Sequence, residues 1–571
     1  MDDDGPRASP PTESAVAEPP VSASTVAAVG STADGDEARP STARGSITVA
    51  AWTLISRITG LLRVVVIGAV LGPTFFANAF LSANTIPGLA TTALAGPVLA
   101  LVLVPTLVRS MTEHGMAASV RLLSRINGYM MFWSSVTAGA LTIASPLVAL
   151  AVTAGIPDGD TRWRAWRLTI VVLLFVGPQI LCFVLATIGA AVQQARGRFA
   201  LSSAAPALEN VGLIATMAVV WVLYDSGLDV PDVPISMVLV LSVGATLSVA
   251  LHAAAQLFGA HRAGLPMRVR GGWRSDPEAR AATYRLRRSV IVAVFPVLAM
   301  FAMVAVAATV PGGVFVFQTA LAVYFVIAAL GSKAVTSAAL PGLSAAARDG
   351  DSVRFSAAWR QALNYSLMAS LPALCLLLAF AEPVAATLAN GELHNPTVIG
   401  WLTGCLMVLA VSQCAQAVYE TARQTLFARL DTRGPRRSST ALMVVRMVVA
   451  LSTLLLPADG YRLVGLACAV LAADVAAAVI TVFLVRKDLG SERLFDLRRL
   501  AVIGVAVLAM LPATALGSWL VQHLVDDRWP RVAVSLATGA AAVVCFGLVF
   551  ALLSGQLPTL LAQVRARLGP R

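Results

Sequence analysis

Arg57 and Arg63 stand six residues apart in the apolar segment WTLISRITGLLRVVVIGAVLG, with no acid between them. A charged group inside a membrane span is costly and faces protein interior or a water-filled cavity. Each guanidinium can grip a phosphate through two parallel hydrogen bonds, so the pair suits an anionic ligand. At ~100° per residue the two point about 120° apart around a helix axis, and only their length lets them reach one cavity. The competing reading is snorkelling to the inner headgroups, easiest for Arg57 near the start of the segment.

Further polar residues fall inside apolar stretches: Asn78, Asn84, Glu209, Asn210, Gln318, Lys333, Glu420, Arg423, Arg446 and Asp474. Lys333 either neutralises a phosphate or snorkels. Glu209 either pairs with a base to hold two helices together or takes part in proton coupling. Arg446 and Asp474, on neighbouring stretches, read first as a structural ion pair.

The elements that must hold these residues are set by hydropathy. The 571-residue chain has a mean hydropathy of +0.79 and only 13% charged residues. Spanning the bilayer takes about 20 apolar residues per helix. The pattern predicts an all-α polytopic membrane protein with about fourteen spans, near 48–72, 79–106, 130–153, 168–187, 204–225, 236–258, 289–309, 314–341, 364–388, 398–420, 439–457, 463–485, 500–522 and 533–553. Pro87, Pro97 and Pro105, with Gly88 and Gly96, predict a kinked or partly broken second span, because proline removes a backbone donor and clashes with the preceding turn. The longest connection, 259–288, is rich in arginine and too short for a catalytic domain.

The net charge of +12 is spread over short loops, so it reads as topology and not as nucleic-acid binding. With the N-terminus inside, the inner connections and C-terminal tail hold 29 Lys/Arg and the outer ones six, which places both termini in the cytoplasm. The cluster Arg162 to Arg167 runs against this locally and is assigned to outer headgroup contact. Residues 1–42, rich in Pro, Ser, Thr, Ala and acids, read as a disordered cytoplasmic tail with no secretory signal. Cys182, Cys375, Cys405, Cys414, Cys468 and Cys545 all fall in spans without metal spacing, so neither a metal nor a cofactor is expected. The sequence holds no GxxxxGK[ST] phosphate loop, which argues against ATP hydrolysis by this chain and against an enzyme.

The segment from Ser56 to Pro105, SRITGLLRVVVIGAVLGPTFFANAFLSANTIPGLATTALAGPVLALVLVP, resembles the opening two helices of the MurJ/MviN family of lipid II flippases, in the multidrug/oligosaccharidyl-lipid/polysaccharide exporter superfamily. QQARGRFALSSAAPALENVGLI, LPGLSAAARDGD and ARQTLFARLDTRGPRRSS are similar to later segments of that family, the last through Asp431, Thr432, Arg433 and Pro435, with Gly434 as a departure. The resemblance covers roughly 45–555. It implies two pseudo-symmetric six-helix lobes, 43–258 and 289–485, arranged as a V around a cationic cavity. A basic cytoplasmic linker, 259–288, joins them, and two C-terminal helices within 486–571 line a groove for a lipid tail.

It also implies inside-to-outside flipping of a polyprenyl-pyrophosphate-linked glycan, lipid II, across a bacterial plasma membrane. Arg57 and Arg63 match first-helix arginines associated with head-group binding, and Asn78, Asn84, Gln318 and Lys333 complete the expected head-group set. Glu209, Asn210, Glu420, Arg423, Asp431, Arg446 and Asp474 are expected as gating or structural polar residues. The chain departs from the family pattern at Asn78 and Val64, where acids are usual, and at Thr91 and Ala322, where bases are usual. Those departures keep open another polyprenyl-linked envelope glycan, and a non-transporting scaffold in an envelope-synthesis complex; drug export on the same fold is a further alternative. Directional transport needs coupling to the membrane potential, to an ion gradient or to consumption of the product. Anionic membrane lipids and cell-wall synthesis or division proteins are the expected neighbours.

Overall fold

The computed structural model describes residues 39–555, apart from 430, 432, 490, 491 and 524–526. Of the expected tail, residues 1–38 lie outside the described residues and 39–42 form the start of the first helix; of the expected C-terminal tail, 556–571 lie outside them. Thr432 of the DTRGP segment is outside as well. Among the described residues there is no strand. The helices are α1 (Arg39–Leu71), α2 (Phe75–Leu94), α3 (Gly96–Thr153), α4 (Gly159–Val176), α5 (Gln179–Ala195), α6 (Phe199–Leu223), α7 (Ile235–Arg262), α8 (Pro277–Ala307), α9 (Gly313–Leu330), α10 (Ser332–Arg348), α11 (Ser352–Leu388), α12 (Pro396–Ala428), α13 (Arg433–Ser452), α14 (Gly460–Leu489), α15 (Leu497–Leu508), α16 (Leu511–His523) and α17 (Arg528–Leu553).

Twelve segments of the described residues are long and apolar enough to cross a membrane, against the fourteen expected. The second expected span, 79–106, is divided at Ala95, whose φ of −125° and ψ of −21° separate α2 from α3. Pro97 then sits in the first turn of α3, where its missing N–H costs nothing, while Pro87 and Pro105 lie inside helices. Helix α3 runs on through the expected loop 107–129, and only Gly115, at φ 76° and ψ 176°, leaves helical geometry. The seventh expected span, 289–309, corresponds to the C-terminal two thirds of α8, which begins before it at Pro277. The eighth, 314–341, is broken at Gly331, with φ −94° and ψ −103°, between α9 and α10.

The basic connection 259–288 is mostly helical, since α7 and α8 leave only 263–276 outside them. Asp276 caps α8 by accepting from the Ala279 N–H at 2.9 Å, and it also pairs with Arg125 of α3. The Arg270 N–H donates to the Ser124 carbonyl at 3.0 Å, and the Asn127 amide to the Arg268 carbonyl at 3.0 Å, so this stretch is stitched along α3. Burial pushes the Asp276 carboxyl up, but the Ala279 N–H and the Arg125 guanidinium outweigh it and hold the group below the usual carboxylate range. Arg164, from the cluster assigned to outer headgroups, instead donates to the Val230 and Val233 carbonyls at 2.9 and 3.1 Å.

The apolar packing is not uniform along the helices. One cluster gathers the C-terminal ends of α1, α3, α6, α8 and α11 with the N-terminal ends of α7, α9, α12 and α14, so both halves of the chain contribute. At the opposite end the buried residues fall into two separate clusters, one of α3, α5, α7 and α8 and one of α10, α11, α12 and α14. The halves are therefore joined at one end and parted at the other. In lipid such a junction depends on close van der Waals packing and hydrogen bonds, because tails are as apolar as the side chains they replace. Gly312 (φ +68°) and Gly391 (φ +56°) make that approach: a Cβ on Gly312 would lie 2.7 Å from the Cα of Pro73, and one on Gly391 2.6 Å from the Ala69 carbonyl.

Candidate functional site

The parted end exposes the first half of α1. Arg57 is exposed there and makes no hydrogen bond or ion pair with the described residues. Arg63, one and a half turns on, is partly buried, and its Nη1 donates to the Glu209 Oε1 of α6 at 3.2 Å. The other Glu209 oxygen faces Nδ1 of His252 on α7 at 3.1 Å. Asn210 sets this register by donating to the Ser56 carbonyl at 3.2 Å and the Thr59 Oγ1 at 3.0 Å. The three helices thus share a charged chain in which Glu209 offsets Arg63, while Arg57 has no counter-charge among the described residues. His252 was not singled out from the sequence. Its signal was a ring nitrogen inside an apolar span facing the span that carries Glu209.

A second group lies in the other half. A cavity of about 300 Å³ is lined by Lys333, Glu420, Arg423, Arg446, Asp474 and Tyr324, among others. The break at Gly331 puts Lys333 in the first turn of α10, exposed at this cavity. Both Glu420 oxygens accept from Arg423 Nη2 at 2.8 Å, and the Arg423 guanidinium lies over the Tyr419 and Phe427 rings at 5.7 Å. Asp474, almost wholly buried, accepts from Tyr324 OH at 2.6 Å, from Ser412 Oγ at 2.7 Å and from Arg446 Nη2 at 3.2 Å. Four helices, α9, α12, α13 and α14, are therefore tied to one carboxylate. Among the described residues the Nε–H groups of Arg63, Arg423 and Arg446 are buried without a hydrogen-bond partner, so each guanidinium keeps donor capacity beyond its carboxylate.

The remaining expected head-group residues are placed differently. Asn78 is 1% exposed and acts as a brace at the joined end: its Nδ2 donates to the Ala308 and Val310 carbonyls at 3.1 and 2.6 Å, and its Oδ1 accepts from the Val314 N–H at 3.1 Å. With both amide functions committed to the α8–α9 turn, it has little left for a ligand in this conformation. Gln318 of α9 donates to Thr85 Oγ1 of α2 at 3.0 Å, and Asn84 accepts from Gln179 at 3.4 Å. Asp431 accepts from the backbone N–H groups of Arg433 and Gly434 at 2.8 and 3.2 Å and so holds the start of α13. None of the residues lining the 300 Å³ cavity comes from α1, so the structure forms two polar groups where the sequence suggested one. Among the described residues no cluster of His, Cys, Asp and Glu is arranged to hold a metal ion.

Comparison with known proteins bears on what such an arrangement does. The family model described as Lipid II flippase MurJ matches residues 67–534. A Vibrio cholerae serotype O1 protein named "Probable lipid II flippase MurJ" is 24% identical over 495 residues, covering 85% of this chain and 90% of that protein. Among solved structures, one titled "Lipid II flippase MurJ, inward closed conformation" aligns with a TM-score of 0.68 at 15% identity, over 88% of this chain and 99% of that one. An inward-facing multidrug resistance MATE family transporter of the MOP superfamily aligns at 0.58 and 17% identity, over 78% and 98%. These likenesses show a shared fold, and the family match spans most of the sequence. This multi-pass, all-helical membrane protein belongs to the lipid II flippase MurJ family.

Proposed function

We propose that this chain carries lipid II from the inner to the outer leaflet of the bacterial plasma membrane by alternating access. It is a transporter and not an enzyme. One geometric observation carries the reading beyond family membership: the halves are joined at one end and parted at the end where α1 presents Arg57. A pyrophosphate head entering from that side meets cations from both halves, Arg57 and Arg63 from one and Lys333, Arg423 and Arg446 from the other. The isoprenoid tail stays in lipid, so only the charged head has to be shielded over the ~30 Å apolar layer.

In this reading the chain crosses fourteen times, with α2 and the first part of α3 as the second crossing, the rest of α3 as the third, α8 as the seventh, and α9 with α10 as the eighth. The crossings form two six-helix lobes, 43–258 and 289–485, linked by 259–288, and the pair within 486–571 follows the tail. The excess of Lys/Arg in the proposed inner connections, 29 against six, supports cytoplasmic termini. Binding does no net work, so export is driven by the membrane potential, worth ~2.3 kcal/mol per charge per 100 mV, or by an ion gradient. Cell-wall synthesis or division proteins are the consumers expected outside. The engagement of Arg63 by Glu209 favours, as a second reading, another polyprenyl-linked envelope glycan precursor with a less demanding head.

The test is head-group translocation in proteoliposomes loaded with lipid II, comparing wild type with an Arg57→Ala/Arg63→Ala variant checked for folding. Flipping by wild type that disappears in the variant supports the reading. Folded wild type that moves no lipid II under gradients and potentials of either sign overturns it in favour of another glycolipid, and a variant as active as wild type removes the two arginines from the site.

A further inference from the structure

Arg63, Arg423 and Arg446 are each held by a carboxylate, and the three pairs are not alike. Both Glu420 oxygens accept from Arg423 at 2.8 Å, and Asp474 is almost wholly buried beneath three donors, Arg446 among them. Both are fixed parts of the fold. The Arg63–Glu209 pair is a single hydrogen bond at 3.2 Å, with side chains 28% and 17% exposed. A phosphate that grips a guanidinium through two parallel bonds can replace such a contact. Glu209 is not stranded when it does, because its other oxygen keeps His252 of α7 at 3.1 Å. Nor does the carboxylate drift out of reach. Asn210 ties the next position of α6 to Ser56 and Thr59 of α1, and a Cβ on Gly60 would lie 3.5 Å from the Asn210 amide, so the two helices run close here.

We propose that Glu209 is a specificity-determining residue: it holds Arg63 against a ligand with one phosphate and yields it to a ligand with two adjacent phosphates. Phospholipids of the surrounding leaflet, which carry a single phosphodiester, are thereby kept from the site while a polyprenyl pyrophosphate is admitted. The inference rests on Arg57 and Arg63 as head-group contacts, as given under Proposed function. Arg57 is exposed, has no counter-charge among the described residues, and takes the first phosphate. The second phosphate of a pyrophosphate is then tethered beside Arg63, at an effective concentration of about millimolar, and competes with the tethered carboxylate on equal terms. A phosphodiester has no second phosphate. It reaches Arg63 only by drawing both guanidinium groups onto one phosphate against the pull of Glu209. A built-in charge that opposes the wrong ligand is a general route to specificity.

Binding to the full-length protein in a non-ionic detergent, at one pH, tests this with a polyprenyl pyrophosphate and the polyprenyl monophosphate of the same chain length, so that the tail contributes equally. Wild type is expected to prefer the pyrophosphate by about tenfold or more. In Glu209→Gln the monophosphate should gain about tenfold and the pyrophosphate less than about threefold, and phosphatidylglycerol should displace the pyrophosphate from this variant but not from wild type. Glu209→Asp keeps the charge and shortens its reach by one methylene; it should lie between the two, and it serves where the glutamine variant does not fold. Arg63→Gln/Glu209→Gln should bind both ligands as Arg63→Gln does, because the competition needs both partners, whereas a merely structural Glu209 would add its own effect. Equal gains for the two phosphates in a folded variant, or no gain, overturn the proposal, as does displacement of the pyrophosphate from wild type by phosphatidylglycerol. Lipid II translocation is read separately. Discrimination without lipid II flipping leaves the filter standing for another polyprenyl pyrophosphate and overturns the flipping reading, while flipping without discrimination does the reverse.

Discussion

Replacing Gly312 with alanine should push the protein away from the conformation described above. The new Cβ would lie 2.7 Å from both Cα and Cβ of Pro73, a contact that side-chain rotation cannot relieve because Pro73 is a ring fixed to the main chain. Overpacking of this kind costs about 1–3 kcal/mol. Alanine at φ +68° costs a further ~1–2 kcal/mol, but every conformation that keeps the turn bears that strain, so it does not bias the equilibrium. The clash alone raises the fraction opened at the joined end about 5- to 150-fold. The readout is a single cysteine at Val310, which is fully buried in the shared core, in a background lacking the six native cysteines. Maleimide labelling of Val310→Cys in detergent should accelerate by that factor when Gly312→Ala is added. An unchanged or slower rate in a protein that remains folded would show that the Gly312–Pro73 contact does not hold the closed end, and the reasoning would fail.

Asp474→Ala strands three donors, Arg446, Tyr324 and Ser412, in a buried setting, and should cost roughly 3–5 kcal/mol. Since a protein of this size commonly unfolds irreversibly, the effect is read as faster thermal inactivation in detergent, with Arg446→Met/Asp474→Leu recovering most of the loss. Glu209→Gln keeps an acceptor for Arg63 but removes the charge; a double-mutant cycle with Arg63→Gln should give a coupling below about 2 kcal/mol, because both groups are partly solvated. The Asp276 carboxyl lies below its unfolded value, so the clip it forms contributes fully above ~pH 4 and is lost as pH falls through the lowered value. The hydrogen-exchange protection factor over 263–276, taken against the intrinsic rate at each pH, should therefore be flat between pH 6 and 8, and protection lost above pH 5 would contradict this.

Hydropathy made the helical class and most spans legible, because each span must be apolar over a fixed length whatever its neighbours do. Breaks were harder. Prolines pointed to the second span, but the chain leaves the helix at Ala95, one residue before Gly96 and two before Pro97, and the break at Gly331 has no proline beside it. Polar residues in apolar spans were visible one by one, and Arg446 and Asp474 do meet at 3.2 Å. Which of them share a cavity depends on helix rotation and on packing between distant segments, neither of which leaves a local trace. Asn78 illustrates the limit: it was expected among the residues that contact the head group, whereas its partners are three backbone groups more than 200 positions along the chain. His252 illustrates the converse, since only its meeting with Glu209 gives it meaning.

The glycine contacts at the joined end have a kinetic consequence. Where main chain rests directly on main chain there are no rotamers to sample, so the contact cannot loosen by degrees as side chains swing aside. Gly312 against Pro73 and Gly391 against Ala69 must part together, when whole helix ends move. Such a joint behaves as a latch with two positions, released in one step rather than by gradual yielding.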